Sequence, residues 1–258
     1  MKISYIILFV VLLGGYSGAQ DSKHNCRGEN CNWQFELSPG AWFAWMKGDI
    51  TAETLPGYIN IGLGDKFKGP DFSYFAEFEA RKGKFILIGQ FTSINLTSDG
   101  TFSKGPYSSS HSTVRPLFIL AGLAFDFYRN DEVEIELFGG GRWNYLRNEI
   151  ETETVEGELK NEKGDRGFID PLAGARFNYR PFKSGALEPL YMKIYFDVGG
   201  FGMVSKLSFQ SYAALGYELN KTFSLRLGYR YLDINYIDDN YSHNSGIQGF
   251  EFVTTTRF

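Results

Sequence analysis

The sequence predicts an all-β protein, a transmembrane up-and-down antiparallel β-barrel of about ten strands. Three observations carry this reading. Long segments alternate apolar and polar residues with a period of two. The apolar faces of those segments end in aromatic residues. The chain also begins with an export-type leader and ends on Phe258. Composition agrees: 30 of 258 residues are Gly and 17 % are aromatic, while the charged fraction is an ordinary 22 %. That balance excludes disorder, collagen, coiled coil and a disulfide scaffold. A net charge of -4 gives no support for a nucleic-acid partner.

Lys2 precedes an apolar run, Ile3 to Leu13, and the small residues Ser17-Gly18-Ala19. This order predicts a signal peptide over 1–19, cleaved after Ala19. The run is too short for a membrane helix, which needs ~20 residues; an uncleaved anchor is the alternative. No Cys stands at the cleavage point, so lipoprotein processing is not expected. Residues 20–32 then form a periplasmic tail. Export makes the compartment oxidising, so Cys26 and Cys31 are candidates for a small-loop disulfide. A metal site with His24 is the sharper alternative, but three loosely spaced ligands without a second Cys pair are a weak signal. Neither a metal nor a cofactor is expected.

The barrel is predicted over 33–258, with strands at 33–46, 71–81, 84–96, 113–127, 132–146, 168–180, 189–200, 207–219, 222–235 and 246–258. In Leu190–Val198, Leu190, Met192, Ile194, Phe196 and Val198 share one face; Tyr191, Lys193, Tyr195 and Asp197 share the other. Phe223–Tyr231 repeats the pattern, with Ser224, Arg226, Gly228 and Arg230 on its polar face. So does Val133–Tyr145, with Glu134, Glu136, Arg142 and Asn144. Segments of this length exceed the ~5–6 residues usual in soluble sheets, which favours a spanning barrel over a secreted β-sandwich. Short turns follow strands two, four, six and eight, and long connections lie at 47–70, 97–112, 147–167 and 236–245. Short periplasmic turns and long outer loops are the rule for such barrels, and an even strand count puts both termini in the periplasm.

Some segments resist the scheme. Val114–Phe127 is apolar on both faces. After Tyr231 the phase flips, with Leu232, Ile234 and Tyr236 apolar; a bulge or an exit from the bilayer is expected there. Pro39, Pro116 and Pro171 each remove a ladder donor from a predicted strand. Gly57–Gly64 could add a hairpin, so eight or twelve strands stay open.

At FEARKGKF (Phe78–Phe85), IDPLAGARF (Ile169–Phe177), DVGGFG (Asp197–Gly202) and LGYRYLDINY (Leu227–Tyr236) the chain resembles bacterial outer-membrane β-barrel proteins, mostly of uncharacterised function. The likeness runs in order across 33–258. It implies an integral outer-membrane barrel and brings no catalytic residue with it. Thr254 and Thr256 depart from the apolar residues usual on the outward face of the last strand.

The predicted inward face carries Glu77, Glu79, Arg81, Glu134, Glu136, Arg142, Arg176, Arg180, Lys193, Asp197, Glu218, Arg226, Arg230 and Glu251. Unpaired charges in a narrow lumen cost several kcal/mol, and ten strands leave little free interior. The expectation is a charge-plugged lumen in a structural or small-solute-interacting surface barrel, with a narrow solute channel as the alternative. In particular, Arg226 or Arg230 is expected to pair with Glu218 or Glu251, with Gly228 making room for the two guanidinium groups. Trp143, Tyr145, Tyr229, Tyr231 and Phe258 form the expected aromatic girdles. No enzyme is expected. The weighed alternative is a rim hydrolase: an omptin-type protease using Asp238, Asp239 and His243, or a lipid-A-modifying triad drawing on Ser242-His243 or Ser110-His111. The acidic run Glu149–Glu158 reads as a solvated loop. Expected partners are outer-membrane lipid, lipopolysaccharide and the barrel-assembly machinery, with the barrel itself a monomer.

Overall fold

The computed structural model describes residues 32–52, 55–61, 73–101, 107–238 and 241–258. The expected leader, Cys26, Cys31 and Asp239 lie outside them. The described strands are β1 (Gln34–Ala52), β2 (Leu55–Ile61), β3 (Tyr74–Lys82), β4 (Phe85–Ser93), β5 (Leu96–Thr101), β6 (Tyr107–Val114), β7 (Leu117–Arg129), β8 (Val133–Thr154), β9 (Leu159–Tyr179), β10 (Leu190–Gly199), β11 (Leu207–Glu218), β12 (Phe223–Asp238) and β13 (Tyr241–Arg257).

Ten of them close a ring in the order β1-β3-β4-β7-β8-β9-β10-β11-β12-β13, every pairing antiparallel. The seam pairs β1 with β13 from Glu36↔Arg257 to Ala52↔Tyr241. Phe35 and Phe258 exchange backbone hydrogen bonds of 2.9 and 3.0 Å, so both chain ends lie at one end of the barrel. The ten predicted strands are the ten of the ring.

The opposite, distal end differs from expectation. The connections predicted as long loops continue as strands. β1 runs on to Ala52 and pairs with β2. β5 pairs with β6 and β6 with β8, while β8 and β9 stay paired to Glu153↔Leu159. The run Glu149–Glu158 is therefore mostly strand, with its turn after Thr154. The physical reason is that alternation persists: Ile150 and Thr152 are buried while Glu151 and Glu153 stay exposed. The β10–β11 hairpin is short and stops at Gly199↔Ser208. Above it, two four-stranded sheets, β2-β1-β13-β12 and β9-β8-β6-β5, face each other. Among the described residues no ladder joins their edges.

The phase flip after Tyr231 is neither a bulge nor a break. β12 and β13 pair in one register from Phe223↔Thr256 to Asp238↔Tyr241. What changes is the surroundings. Below Tyr231 the outward side chains are apolar: Leu227 is 61 % exposed and Phe252 46 %. Above it the inward ones are: Leu232, Ile234 and Tyr236 are buried with Met46, Leu146, Ile150, Phe168 and Ile247 in a core between the two sheets. Phe168 and Tyr236 stack across from β9 to β12 at 4.1 Å and 5°. The doubly apolar segment has a similar cause. Phe118 of β7 joins that core, and Leu120 and Ala124 join a second inward cluster with Ile86, Ile88, Phe138 and Leu172. Pro116 sits at the break between β6 and β7, and a bulge falls between Asp126 and Tyr128.

At the seam, Gly249 faces inward, and a Cβ there would lie 2.0 Å from the Phe43 carbonyl oxygen. At Gly89 the nearest atoms would be 3.9 and 4.0 Å away. Gly249→Ala should therefore destabilise the barrel by about 1–3 kcal/mol, the usual cost of overpacking, and Gly89→Ala by less than half of that. The temperature at which the folded, fast-migrating form is lost on a gel distinguishes the two.

Candidate functional site: the ionic interior

Period-two pleating places the charged faces of β3, β8, β9, β10, β12 and β13 inside the ring. Glu136, Asp197 and Glu251 are fully buried there, and Arg142, Arg226 and Arg230 nearly so. Most of these charges form one connected set of ion pairs. Arg81 reaches Glu134 at 2.9 Å and also bonds Glu136. Arg176 lies 2.5 Å from Glu136 and donates to Glu79 at 2.6 Å. Lys193 lies 3.1 Å from Glu79 and 3.7 Å from Glu77. Glu77 also accepts from Arg226 at 2.7 Å and Arg230 at 3.1 Å. Arg230 grips Glu251 through two guanidinium nitrogens. In the ring β10 stands five strands from β3, so Lys193 spans the lumen to its diametrically opposite wall. Arg142 pairs separately with Asp197, which also accepts from the Tyr195 hydroxyl.

Aromatic and apolar residues close the spaces between these pairs. The Arg230 guanidinium lies 5.1 Å from the ring centres of Phe75 and Tyr212 and 5.8 Å from that of Trp42. A cavity of about 30 Å³ remains beside Glu77, Glu79, Gln90, Lys193 and Tyr212, which is room for a water molecule.

Of the predicted pairings of Arg226 or Arg230 with Glu218 or Glu251, across β11 to β13, one forms. Arg230 does pair with Glu251. Arg226 reaches over β13 and β1 to Glu77 instead, and Glu218 belongs to a terminal-end cluster with Arg180 and Arg257, each at 2.8 Å. Two residue steps along the sheet separate Arg226 from Ser224, the register partner of Glu218, and curvature aims Arg226 across the lumen. Gly228 makes room for a ring rather than for guanidinium groups, because a Cβ there would lie 2.5 Å from Tyr212. Asp170 escaped the sequence reading. It is buried, accepts from Asn144 and from the Ser205 backbone N–H, and so pins the β10–β11 turn to β9. Its place after Ile169, in alternation with buried Phe168, was the available signal.

The aromatic residues sit in two groups. Trp143 stacks on Tyr145 at 6.0 Å, and Tyr229 and Tyr231 face outward on the distal side of the apolar band. Phe258 stacks on Phe35 at the terminal end, also at 6.0 Å. In the terminal-end turns Lys183 lies 2.5 Å from Glu132, and the hydrogen bond to that carboxylate raises its pKa.

The residues weighed for hydrolysis are dispersed. His243 is buried in the distal core, where its Nε2 meets Ser245 Oγ at 2.7 Å. Asp238 is exposed and lies 3.4 Å from Arg166. His111 faces outward against Asp99 at 2.5 Å, while its neighbour Ser110 is buried on the opposite face of β6. No group of His, Cys, Asp and Glu suited to holding a metal ion occurs among the described residues.

No protein-family model matches the chain, and no curated protein does. Solved structures do. The outer-membrane protease OmpT of Escherichia coli is 10 % identical, with a TM-score of 0.52 over 90 % of this chain and 98 % of its own. Neisserial surface protein A is 12 % identical, with a TM-score of 0.37 over 89 % of this chain and 100 % of its own. The translocator domain of the autotransporter NalP from Neisseria meningitidis is 11 % identical, with a TM-score of 0.45 over 99 % and 94 %. At such identities the likeness to OmpT concerns the fold alone: a closed antiparallel ten-stranded barrel.

Buried ion pairs make a signed prediction. Arg230→Met strands Glu251, and Glu251→Gln leaves Arg230 with Glu77 alone. Each should cost about 3–5 kcal/mol, and the double variant less than their sum. Arg226→Met and Glu218→Gln share no partner, so their effects should add within about 0.5 kcal/mol. Denaturant unfolding in lipid vesicles measures both cycles.

Proposed function

We propose that the chain is an integral outer-membrane β-barrel whose lumen is plugged by charge, and that it serves as a structural surface protein rather than a pore or an enzyme. The observation that carries this is the double closure of the interior. An ion-pair network fills the ring within the apolar outer band, and an apolar core fills the distal end above it. A solute would have to part both. The apolar outward band bounded by Trp143, Tyr145, Tyr229 and Tyr231 supports a membrane location. The paired distal hairpins and the short terminal-end turns support periplasmic termini and an outward-facing hairpin end. On this reading the functional surface is the outer wall and the hairpin ends. Outer-membrane lipid and lipopolysaccharide surround the barrel, the assembly machinery inserts it, and it acts as a monomer.

Purified protein in planar bilayers should give no stable conductance steps, and the protein should fractionate with the outer membrane and migrate faster unheated than heated. Large, regular steps would overturn the plug. Release by a carbonate wash without detergent would overturn the membrane assignment.

A further inference from the structure

Cations on the outer wall gather on one side of the barrel, just distal to the aromatic residues. Asn95, Arg115, Arg147 and Asp165 form one cross-strand row: the Arg115 Nε donates to Asn95 Oδ1 at 3.2 Å, its backbone N–H donates to the Arg147 carbonyl at 2.8 Å, and Arg147 pairs in register with Asp165. The next row outward carries Glu149 opposite Lys163. Directly facing like charges destabilise a sheet, yet here two arginines adjoin. They share with Lys163 a single carboxylate, Glu149, at 3.6, 3.3 and 3.3 Å. Of the other acids, Asp165 accepts from the Tyr145 hydroxyl at 2.8 Å, and Glu151, one row further out, accepts from Asn161 at 2.9 Å. Both arginine side chains are 48 % exposed and Lys163 is 60 % exposed, so three cations keep donors free for a ligand.

Below this patch the wall is apolar. Leu117 and Tyr145 form the next row, and Ile119, Trp143 and Ile169 follow, exposed by 40, 37 and 61 %. Gly167 completes the Tyr145 row without a side chain, and a Cβ there would lie 3.6 Å from the Tyr145 ring and 3.7 Å from the Trp143 indole nitrogen. The two rings therefore lean over the bare Gly167 backbone, below the arginines. Among the described residues the opposite wall has no counterpart. There the row distal to Tyr231 carries Lys47, Gly246, Asp233 and Phe209, with one charge of each sign.

We infer that Arg115, Arg147 and Lys163 bind the phosphate monoester of an outer-leaflet glycolipid of the lipid A type, with its acyl chains against Trp143 and Ile169. The inference rests on the proposed reading that the hairpin end faces outward. A monoester carries about -1.5 to -2 charges at neutral pH, and planar guanidinium forks match its oxygens in pairs. A phosphodiester offers one charge to the same three cations. Trp and Tyr hold the interfacial depth at which headgroup phosphates lie.

The test is native mass spectrometry of the full-length protein in detergent, titrated with lipid A, enzymatically dephosphorylated lipid A, phosphatidylglycerol or inorganic phosphate. Lipid A should bind at one site. The Arg115→Gln/Arg147→Gln variant should weaken it about tenfold or more, the scale of lost hydrogen bonds to a charged group. Lys47→Gln on the opposite wall should leave it unchanged. Gel migration of unheated samples reports whether each variant is folded. Equal binding of dephosphorylated lipid A, or of phosphatidylglycerol, would overturn the assignment to a monoester. So would affinity unaltered by the double variant, or displacement of lipid A by inorganic phosphate at equal concentration. Because binding is read in detergent, its failure is separate from failure of the outer-membrane reading, which fractionation tests.

Discussion

A strand that crosses a bilayer and continues beyond it meets two solvents, and this chain satisfies both with one unbroken pleat. Within lipid every backbone donor and acceptor needs a protein partner, and a sheet closed on itself supplies them without an edge. The β1–β13 seam does this here. Within the band, outward positions such as Leu227 and Phe252 are apolar and inward positions such as Arg226 and Glu251 are charged. Past Tyr231 the same register carries Leu232, Ile234 and Ile247 inward. The pleat does not shift; its chemistry inverts where lipid gives way to water. That inversion creates the distal core, and it lets two sheets face each other where the short β10–β11 hairpin has ended.

The charged interior follows from the ring size. Ten strands enclose a space that side chains can span, so arginine and glutamate on opposite walls meet directly rather than through water. Lys193 and Arg176 reach Glu79 from the far side, and Glu77 is shared among Arg226, Arg230 and Lys193. Such pairing adds little to net stability relative to an apolar filling, because both ions are desolvated. Its consequence is mutual dependence. Glu77, Glu79 and Glu136 each meet more than one cation, and Arg230 is braced by two acids and three aromatic rings, so the walls are held at one separation.

Most of the ring could be read from the chain because alternation is strongest where lipid faces one side and polar side chains the other. The strands around Leu190–Val198 and Phe223–Tyr231 fall where period two places them. The hairpin ends were harder. In Glu149–Thr154 alternation persists, but its apolar members are Ile150 and little else, and the density of acids resembles a solvated loop. For the interior, pleating assigns each charge to the lumen, yet partner choice depends on curvature. Neighbouring strands suggest Glu218 for Arg226; the closed ring supplies Glu77 from three strands away. Gly228 shows the same limit, since the ring that fills its space comes from Tyr212 on the adjacent strand.

The proposed plug shifts attention to the outer wall, where exposed cations are unevenly distributed. The β6–β8–β9 side concentrates Arg115, Arg147 and Lys163 above Trp143 and Tyr145, whereas the β1–β13–β12 side balances Lys47 with Asp233. A barrel that only needed to float in a bilayer would have no use for that asymmetry, because a uniform aromatic belt fixes depth equally well. Clustering like charges costs stability on a sheet unless a counter-charge offsets it, and one shared carboxylate offsets it in part. On the glycolipid contact inferred above, that remainder is what an anionic headgroup would offset on this side of the barrel.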